Sequence, residues 1–408
     1  MELSPLVLAI PMYFLLMGIE FAYERWSGRH TYRLADAVTN INTGILNQIT
    51  SIFFKLIKVG IYIWVYEQFA LTQLPENAWT FALLFVLWDF VYYWEHRLAH
   101  TVSLFWGGHS VHHQSEDYNL SVALRQSSTA FIWGAPLYLP LALLGFSPTH
   151  FVLVGGFNLL YQFWIHTEHI RKLPRWFEAI FNTPSHHRVH HGRNLAYLDK
   201  NYAGVFIIWD KLFGSFEPEG QRPVYGVTTP LASWNPLYAN VAHYKWLFAQ
   251  VGKARTWADR WRILAKPPGW LPGYLGGFRA PQEAAPDYQK YASRAHRSLQ
   301  TYVFVQFLLQ LGVAALFFFQ QAQWATLPRI GFTVWLVWSS LLLGFLLERH
   351  TATVHHLEIA RWLAVPCLLA LLGGWYGLAA VAVALPNVGW FERVWSRRAG
   401  EAVADSAG

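Results

Sequence analysis

Cysteine is almost missing from this 408-residue chain, and its single copy, Cys367, rules out an intrachain disulfide framework and any thiolate-built zinc or iron–sulfur site. Charge is scarce as well. Asp, Glu, Lys and Arg make up 13% of the residues, about half the usual share of a soluble domain, which argues against a plain soluble enzyme. The formal charge of +7 is not gathered into a basic cluster, so nucleic acid is not an expected partner. The chain has no Gly-x-Gly-x-x-Gly dinucleotide fingerprint and no His-Pro-Gly-Gly motif of the cytochrome b5 type. Any electrons it uses must come from a separate donor protein or a small reductant. Disorder is excluded as a description of the whole chain by a 54% hydrophobic, 17% aromatic composition.

What the chain has instead is long apolar runs. A bilayer core takes about 20 mostly apolar helical residues. Residues 4–23, 41–70, 78–94, 129–144, 150–165, 302–319, 330–347 and 362–385 qualify. The 129–144 and 150–165 segments read as a hairpin turning at Gly145-Phe-Ser-Pro148. The first segment starts with Met1-Glu2, lacks a basic leader and is expected to be a retained anchor. The expected fold is therefore all-α, a polytopic membrane helical bundle of about eight spans. Arg25, Arg29 and Arg33 follow the first span and place its end in the cytoplasm. Counting from there puts 96–128 and 166–297 on the cytoplasmic side. Arg393, Arg397 and Arg398 fall on the far side in this count. The expected location is a bacterial inner membrane. The expected organisation is a histidine-bearing membrane domain (1–220), an interfacial connector (221–297), a three-span helical module (298–390) and a tail (391–408).

Twelve of the 18 histidines lie between His96 and His191. Three boxes stand out: His96-x3-His100, His109-x2-His112-His113 and His187-x2-His190-His191. Residues i, i+3 and i+4 share one face of a helix. Gln162-x3-His166 lies between boxes two and three, and His186 precedes box three. A lone histidine in an apolar run is more often a packing residue than a ligand. Eight of them in three boxes on one side of a membrane would leave many buried polar rings unpaired without a cation. Imidazole suits iron, zinc, copper and nickel, and eight or nine ligands are too many for one ion but right for two. The zinc-protease signature His-Glu-x-x-His and the paired Glu-x-x-His helices of carboxylate diiron bundles are both absent. A histidine-rich dimetal site at the cytoplasmic face is expected.

The order and spacing of the boxes resemble the fatty acid hydroxylase and sterol desaturase superfamily. Four stretches are similar to its alkylglycerol monooxygenase branch: Trp88 to His100, Glu116 to Ser127, Asn182 to Asn194, and Asp199 to Gly204 with Trp209 to Phe216. The resemblance is specific over about 80–220. It implies two iron ions, molecular oxygen as co-substrate and a membrane lipid as substrate. The implied metal ligands and catalytic residues are His96, His100, His109, His112, His113, His187, His190 and His191, with His166 as a ninth ligand. It also implies an external reductant, with tetrahydrobiopterin as the candidate. An ether lipid is the favoured substrate, ahead of a sterol, carotenoid or acyl chain to be hydroxylated or desaturated. A zinc lipid hydrolase and a metal transporter are the remote alternatives. Carboxylates near the boxes, Asp89 above all, are expected to orient the ligand rings. Trp88, Trp94, Phe105, Trp106, Phe163 and Trp164 are candidates to line an acyl slot, and Arg125 is a candidate headgroup contact. His350 with His355 and His356, spaced i, i+5, i+6, reads as a loop rather than a site.

Overall fold

The computed structural model describes residues 5–285, 287–373 and 376–405. It is helical throughout, with no strand among the described residues and two isolated β-bridges, Phe181 to Phe206 and Gly192 to Tyr225. The main helices are α1 (Pro5–Ser27), α2 (Leu34–Phe69), α3 (Ala78–Thr101), α4 (Ser103–His113), α5 (Pro148–Trp164), α6 (Pro184–His191), α7 (Pro236–Lys253), α8 (Trp257–Ala265), α9 (Arg297–Gln320), α10 (Thr326–Glu348), α11 (Ala352–Ala370) and α12 (Tyr376–Asp405). Two of them, α9 and α10, are each long and apolar enough to cross a membrane. A third candidate is α2, bent by 45° between Ile52 and Ile57.

Two expected spans differ in the structure. The 129–144 segment is a succession of short pieces, Phe131–Gly134, Ala135–Tyr138 and Leu139–Leu143. Pro136 and Pro140 remove backbone donors, so one continuous helix is not available there. The 362–385 segment is also not one helix. It ends at Ala370, turns through Gly373 at φ 90°, and resumes as α12 at Tyr376.

The chain divides into two compact units. The first comprises residues 1–33, 47–231 and 238–290. Its apolar core joins Tyr62 and Val65 of α2, Leu84 and Trp88 of α3, Tyr138, Leu141, Phe146, and Phe151 and Val154 of α5. Tyr62 stacks on Phe151 with ring centroids 4.0 Å apart. Gly155 lets α5 approach α3 closely, since a Cβ there would sit 3.2 Å from the Trp88 ring. Close backbone approach at small residues is how helices gain packing contacts in lipid. This core holds α3 and α5 side by side, and both deliver histidines from their C-terminal ends.

The second unit comprises 34–46, 232–237 and 291–408. Its interior is unusually polar for apolar helices. Glu358 and Arg361 of α11 form a buried ion pair at 2.6 Å. Tyr302 donates to Glu358, and Arg361 donates to Gln306 at 2.8 Å.

Candidate functional site: two imidazole clusters

Box one rides on α3, which runs past the apolar segment to Thr101. Val102, extended at φ −116° and ψ 115°, breaks the helix. The chain then doubles back as α4, whose last turn carries box two. His166 lies two residues beyond the end of α5. Box three is most of α6, an eight-residue helix opened by Pro184 at its first position and closed by the extended Gly192.

These pieces converge into two groups. His96, His100, His109, His113 and His190 form one, and His112, His166, His187 and His191 form the other. Within each group the candidate ligand nitrogens all lie within 4.8 Å of one another. All nine histidines singled out from the sequence are therefore brought together. The boxes are divided in a way spacing alone did not show. In box two, His109 and His113 point to the first group and His112 to the second. In box three, His187 and His191 point to the second group and His190 to the first. The i, i+4 pair of each box stays together, while the i+3 ring turns to the neighbouring group. His186 packs against Phe216, His169 against Tyr23, and His355 pairs with Glu392 at 3.0 Å; none joins a cluster.

The protonation pattern of the rings can be read from their partners. His96 Nδ1 meets the Tyr202 carbonyl at 2.7 Å, His112 Nδ1 that of Arg125 at 3.0 Å, His166 Nδ1 that of Gln162 at 2.8 Å, and His190 Nδ1 that of Lys200 at 2.9 Å. A carbonyl only accepts, so each Nδ1 carries the proton and donates it. In a neutral ring the Nε2 then carries a bare lone pair. Burial pushes His112 down to about 4, and drives His109, His113, His187, His190 and His191 well below the ordinary imidazole range. The rings are neutral, the form that binds metal.

Facing Nε2 atoms lie close together. His112 Nε2 and His166 Nε2 are 3.2 Å apart, His166 and His187 3.0 Å, His96 and His109 2.8 Å, and His190 and His113 3.1 Å. Between His112 and His166 no proton is available for a hydrogen bond. His100 Nε2 and His191 Nε2 are also buried without a partner. Converging ring nitrogens in a buried space fit a cation in each group.

Backbone carbonyls therefore orient the rings, where carboxylates were expected. Among the acids near the boxes, Asp199 alone approaches a cluster ring, 3.5 Å from His100 Nδ1. Asp89 acts one step further out. Its carboxylate accepts from Asn158 at 2.7 Å, the Val205 and Phe206 amides at 2.8 and 2.9 Å, and the Trp209 indole at 3.0 Å. Asp210 accepts from the Tyr202 and Ala203 amides, each at 2.8 Å. Together they clamp the 200–206 loop that supplies two of the four carbonyls. Asn201, in the left-handed region at φ 54°, ties the same loop to the His186 and Glu217 carbonyls.

One other expectation is corrected. Arg125 is not a headgroup contact. It is buried and donates to the Val111 carbonyl at 2.6 Å and to Gln114 at 2.9 Å, fixing the end of α4. Of the six aromatic candidates for a slot, Trp106 alone packs on the clusters, 5.0 Å from His100 and 5.6 Å from His113. Trp88 stacks on Tyr92, Trp94 packs on Phe213, Phe105 on Trp133, Phe163 on Tyr13 and Trp164 on Tyr161. Arg188 is buried inside α6. It forks onto Glu219 with two 2.7 Å bonds and donates to the Thr167 and Ile170 carbonyls. That ties box three to the loop just after His166.

The fatty acid hydroxylase family matches residues 81–215, the stretch that holds every clustered histidine. Fold and site thus define a membrane protein of the lipid oxygenase class. The chain is similar to the alkylglycerol monooxygenase of Homo sapiens, 40% identical over 346 residues, which covers 84% of this chain and 77% of the relative. It is similar to that of Danio rerio, 36% identical over 361 residues, with 88% and 79% covered. An ornithine lipid hydroxylase of Rhizobium tropici is 28% identical over 195 residues, 47% of this chain and 55% of the relative. The chain belongs to the alkylglycerol monooxygenase family, and it is an oxygenase. No solved structure matches it.

Proposed function

We propose that this protein is an O₂-dependent diiron monooxygenase that hydroxylates an ether lipid of the alkylglycerol type. His96, His100, His109, His113 and His190 hold one iron, and His112, His166, His187 and His191 hold the other. The observation that carries this reading is the convergence of nine imidazoles into two groups, with the bare Nε2 atoms of His112 and His166 face to face. Substrate class follows the family, since three curated relatives at 36–40% identity share that activity in their names. When bound, two ferrous ions supply open coordination positions and part of the electrons that O₂ chemistry on a C–H bond requires.

The chain's own contribution is to hold the site. Neutral rings bind without cancelling the metal charge. The carbonyls of Tyr202, Arg125, Gln162 and Lys200 fix the tautomers of His96, His112, His166 and His190, so those four Nε2 atoms stay donors of their lone pairs. Trp106 shields the edge of the first group from water. The remaining electrons come from an external reductant of the tetrahydrobiopterin kind or from a separate donor protein. The clusters lie at the cytoplasmic face of a bundle of about eight spans in a bacterial inner membrane. The histidine-bearing part through about residue 220 does the chemistry, 221–297 is a connector, and 298–390 is a separate helical module.

The test is turnover of a 1-O-alkylglycerol by the purified protein with a reduced pterin, in air and under nitrogen, with His190→Ala alongside. Product in air only, and lost in the variant, is the expected result. Product under nitrogen would instead indicate a hydrolase.

A further inference from the structure

One cavity lies outside the metal clusters but shares a helix with them. It has a volume of about 250 Å³ and is lined by Lys172, Arg175, Glu178, Ser185, His186, Lys211, Phe216 and Glu219 among others. Ser185 and His186 belong to the first turn of α6, directly before the clustered His187. Its lining carries three cations, Lys172, Arg175 and Lys211, against two carboxylates, Glu178 and Glu219. Glu219 is taken up by the fork of Arg188. Glu178 accepts from the Leu173 amide at 2.9 Å and the Thr183 hydroxyl at 3.2 Å. Lys211 caps the short helix Arg175–Ile180 through the Glu178 and Ala179 carbonyls, and its ammonium lies 4.9 Å over the Phe216 ring. Lys172 and Arg175 are exposed, and neither is in an ion pair among the described residues. His186 is buried, and its Nδ1 has no hydrogen-bond partner.

Lining residues have exposed apolar neighbours in the chain. Trp176, next to Arg175, is 68% exposed, and Leu212, next to Lys211, is 69% exposed. Ile180 and Ile208 are exposed as well. A basic hollow among residues flanked by exposed apolar side chains suits a phospholipid at an interface, its phosphate in the hollow.

We propose that this cavity binds the phosphate group of the lipid substrate, with Lys172 and Arg175 as its principal contacts, so that phosphorylated ether lipids are preferred to neutral alkylglycerols. The proposal rests on the ether-lipid reading above and extends it to the headgroup. A glycerol unit separates the ether carbon from the phosphate by only a few bonds. His186 in the lining directly precedes the clustered His187, so a lipid whose phosphate sits there has its ether unit on the box-three side of the molecule. Arginine and lysine together suit this task, one as a planar fork and the other as a point charge.

The experiment compares a 1-O-alkylglycerol with the corresponding 1-O-alkylglycerol 3-phosphate in wild type and in a Lys172→Met/Arg175→Met double variant of the full chain. The expected result is a KM for the phosphorylated lipid raised about tenfold or more, as loss of two charge-assisted contacts implies, with the neutral lipid's KM within twofold of wild type. Inorganic phosphate at millimolar concentration should compete with the phosphorylated lipid and not with the neutral one. If inorganic phosphate binds and the lipid phosphate does not, the cavity takes a free anion, and the lipid assignment is overturned. An equal loss with both lipids would place the two cations in something both reactions share, such as docking an acidic redox protein, and would also overturn it. Equilibrium binding of the phosphorylated lipid to the purified protein, by calorimetry, needs no turnover. Binding weakened about tenfold in the variant would support the site even if neither lipid were oxidised, an outcome that would count against the ether-lipid reading alone.

Discussion

His112 and His166 face each other through Nε2 atoms 3.2 Å apart, while the Nδ1 of each donates to a backbone carbonyl. Two bare lone pairs at that distance repel, and burial removes the water that would separate them. The fold therefore carries a local cost that a cation relieves. Metal should stabilise the folded state by linkage. The expected outcome is a thermal midpoint that rises when metal-stripped protein is titrated with Fe(II) or Co(II), and rises less in His166→Gln. A midpoint indifferent to metal would contradict it.

The clamp beneath the first cluster gives a second expectation. Asp89→Ala removes an acceptor of four hydrogen bonds, two of them from backbone amides. Stranding buried donors at this scale costs about 3–5 kcal/mol. Gly204→Ala should act on the same loop, because its Cβ would lie 2.7 Å from the Asp89 carboxylate and 2.9 Å from Tyr92. Both variants should unfold earlier and bind less metal, since the Tyr202 and Lys200 carbonyls move with the loop. Thermal unfolding with metal analysis checks this. Normal metal content in a destabilised Gly204→Ala would separate the loop from the site.

A third expectation concerns pH. Burial lowers the imidazole of His243 to about 4, and its Nε2 donates to the Ser103 carbonyl at 2.9 Å. The unfolded chain takes up this proton near 6.5 and the folded chain only near 4. The contribution is therefore intact above about 6.5 and is lost as pH falls from 6.5 towards 4. His243→Gln should flatten the decline in stability over that window by about one proton, read as the difference between the two unfolding curves. Equal slopes would contradict the assignment.

In the second unit, Arg361→Met leaves Glu358 buried without its cation and should cost about 3–5 kcal/mol. The Arg361→Met/Glu358→Gln double variant should recover much of it, because it removes the stranded charge. A double-mutant cycle on thermal unfolding measures the coupling. Additive losses would mean that the 2.6 Å pair is not energetically linked.

The site was legible in the sequence to the extent that chemistry is written in side chains. Eight histidines stood out by spacing and the ninth, His166, by resemblance, and all nine converge. Their division into groups was not legible, because a His-x2-His-His box on a helix is equally compatible with one ion or two. The structure splits each such box between neighbours only because α4 and α6 are packed against each other's rings. The orienting carbonyls were invisible, since a backbone oxygen has no letter. Asp89 was recognised as a buried acid, but its role runs through a loop more than a hundred residues away. Arg125 was misread for a related reason: a sequence shows a charge and not the carbonyl and amide oxygens that bury it. Prolines 136 and 140 did mark the break in the 129–144 segment, and hydropathy alone outweighed them.

The most direct measurement is the metal content of the purified full-length protein, compared with His166→Gln and His109→Ala. The account predicts two irons per chain in wild type, about one in each variant, and O₂-dependent turnover in wild type alone. Zinc in place of iron, a single iron in wild type, or two irons retained in both variants would contradict it.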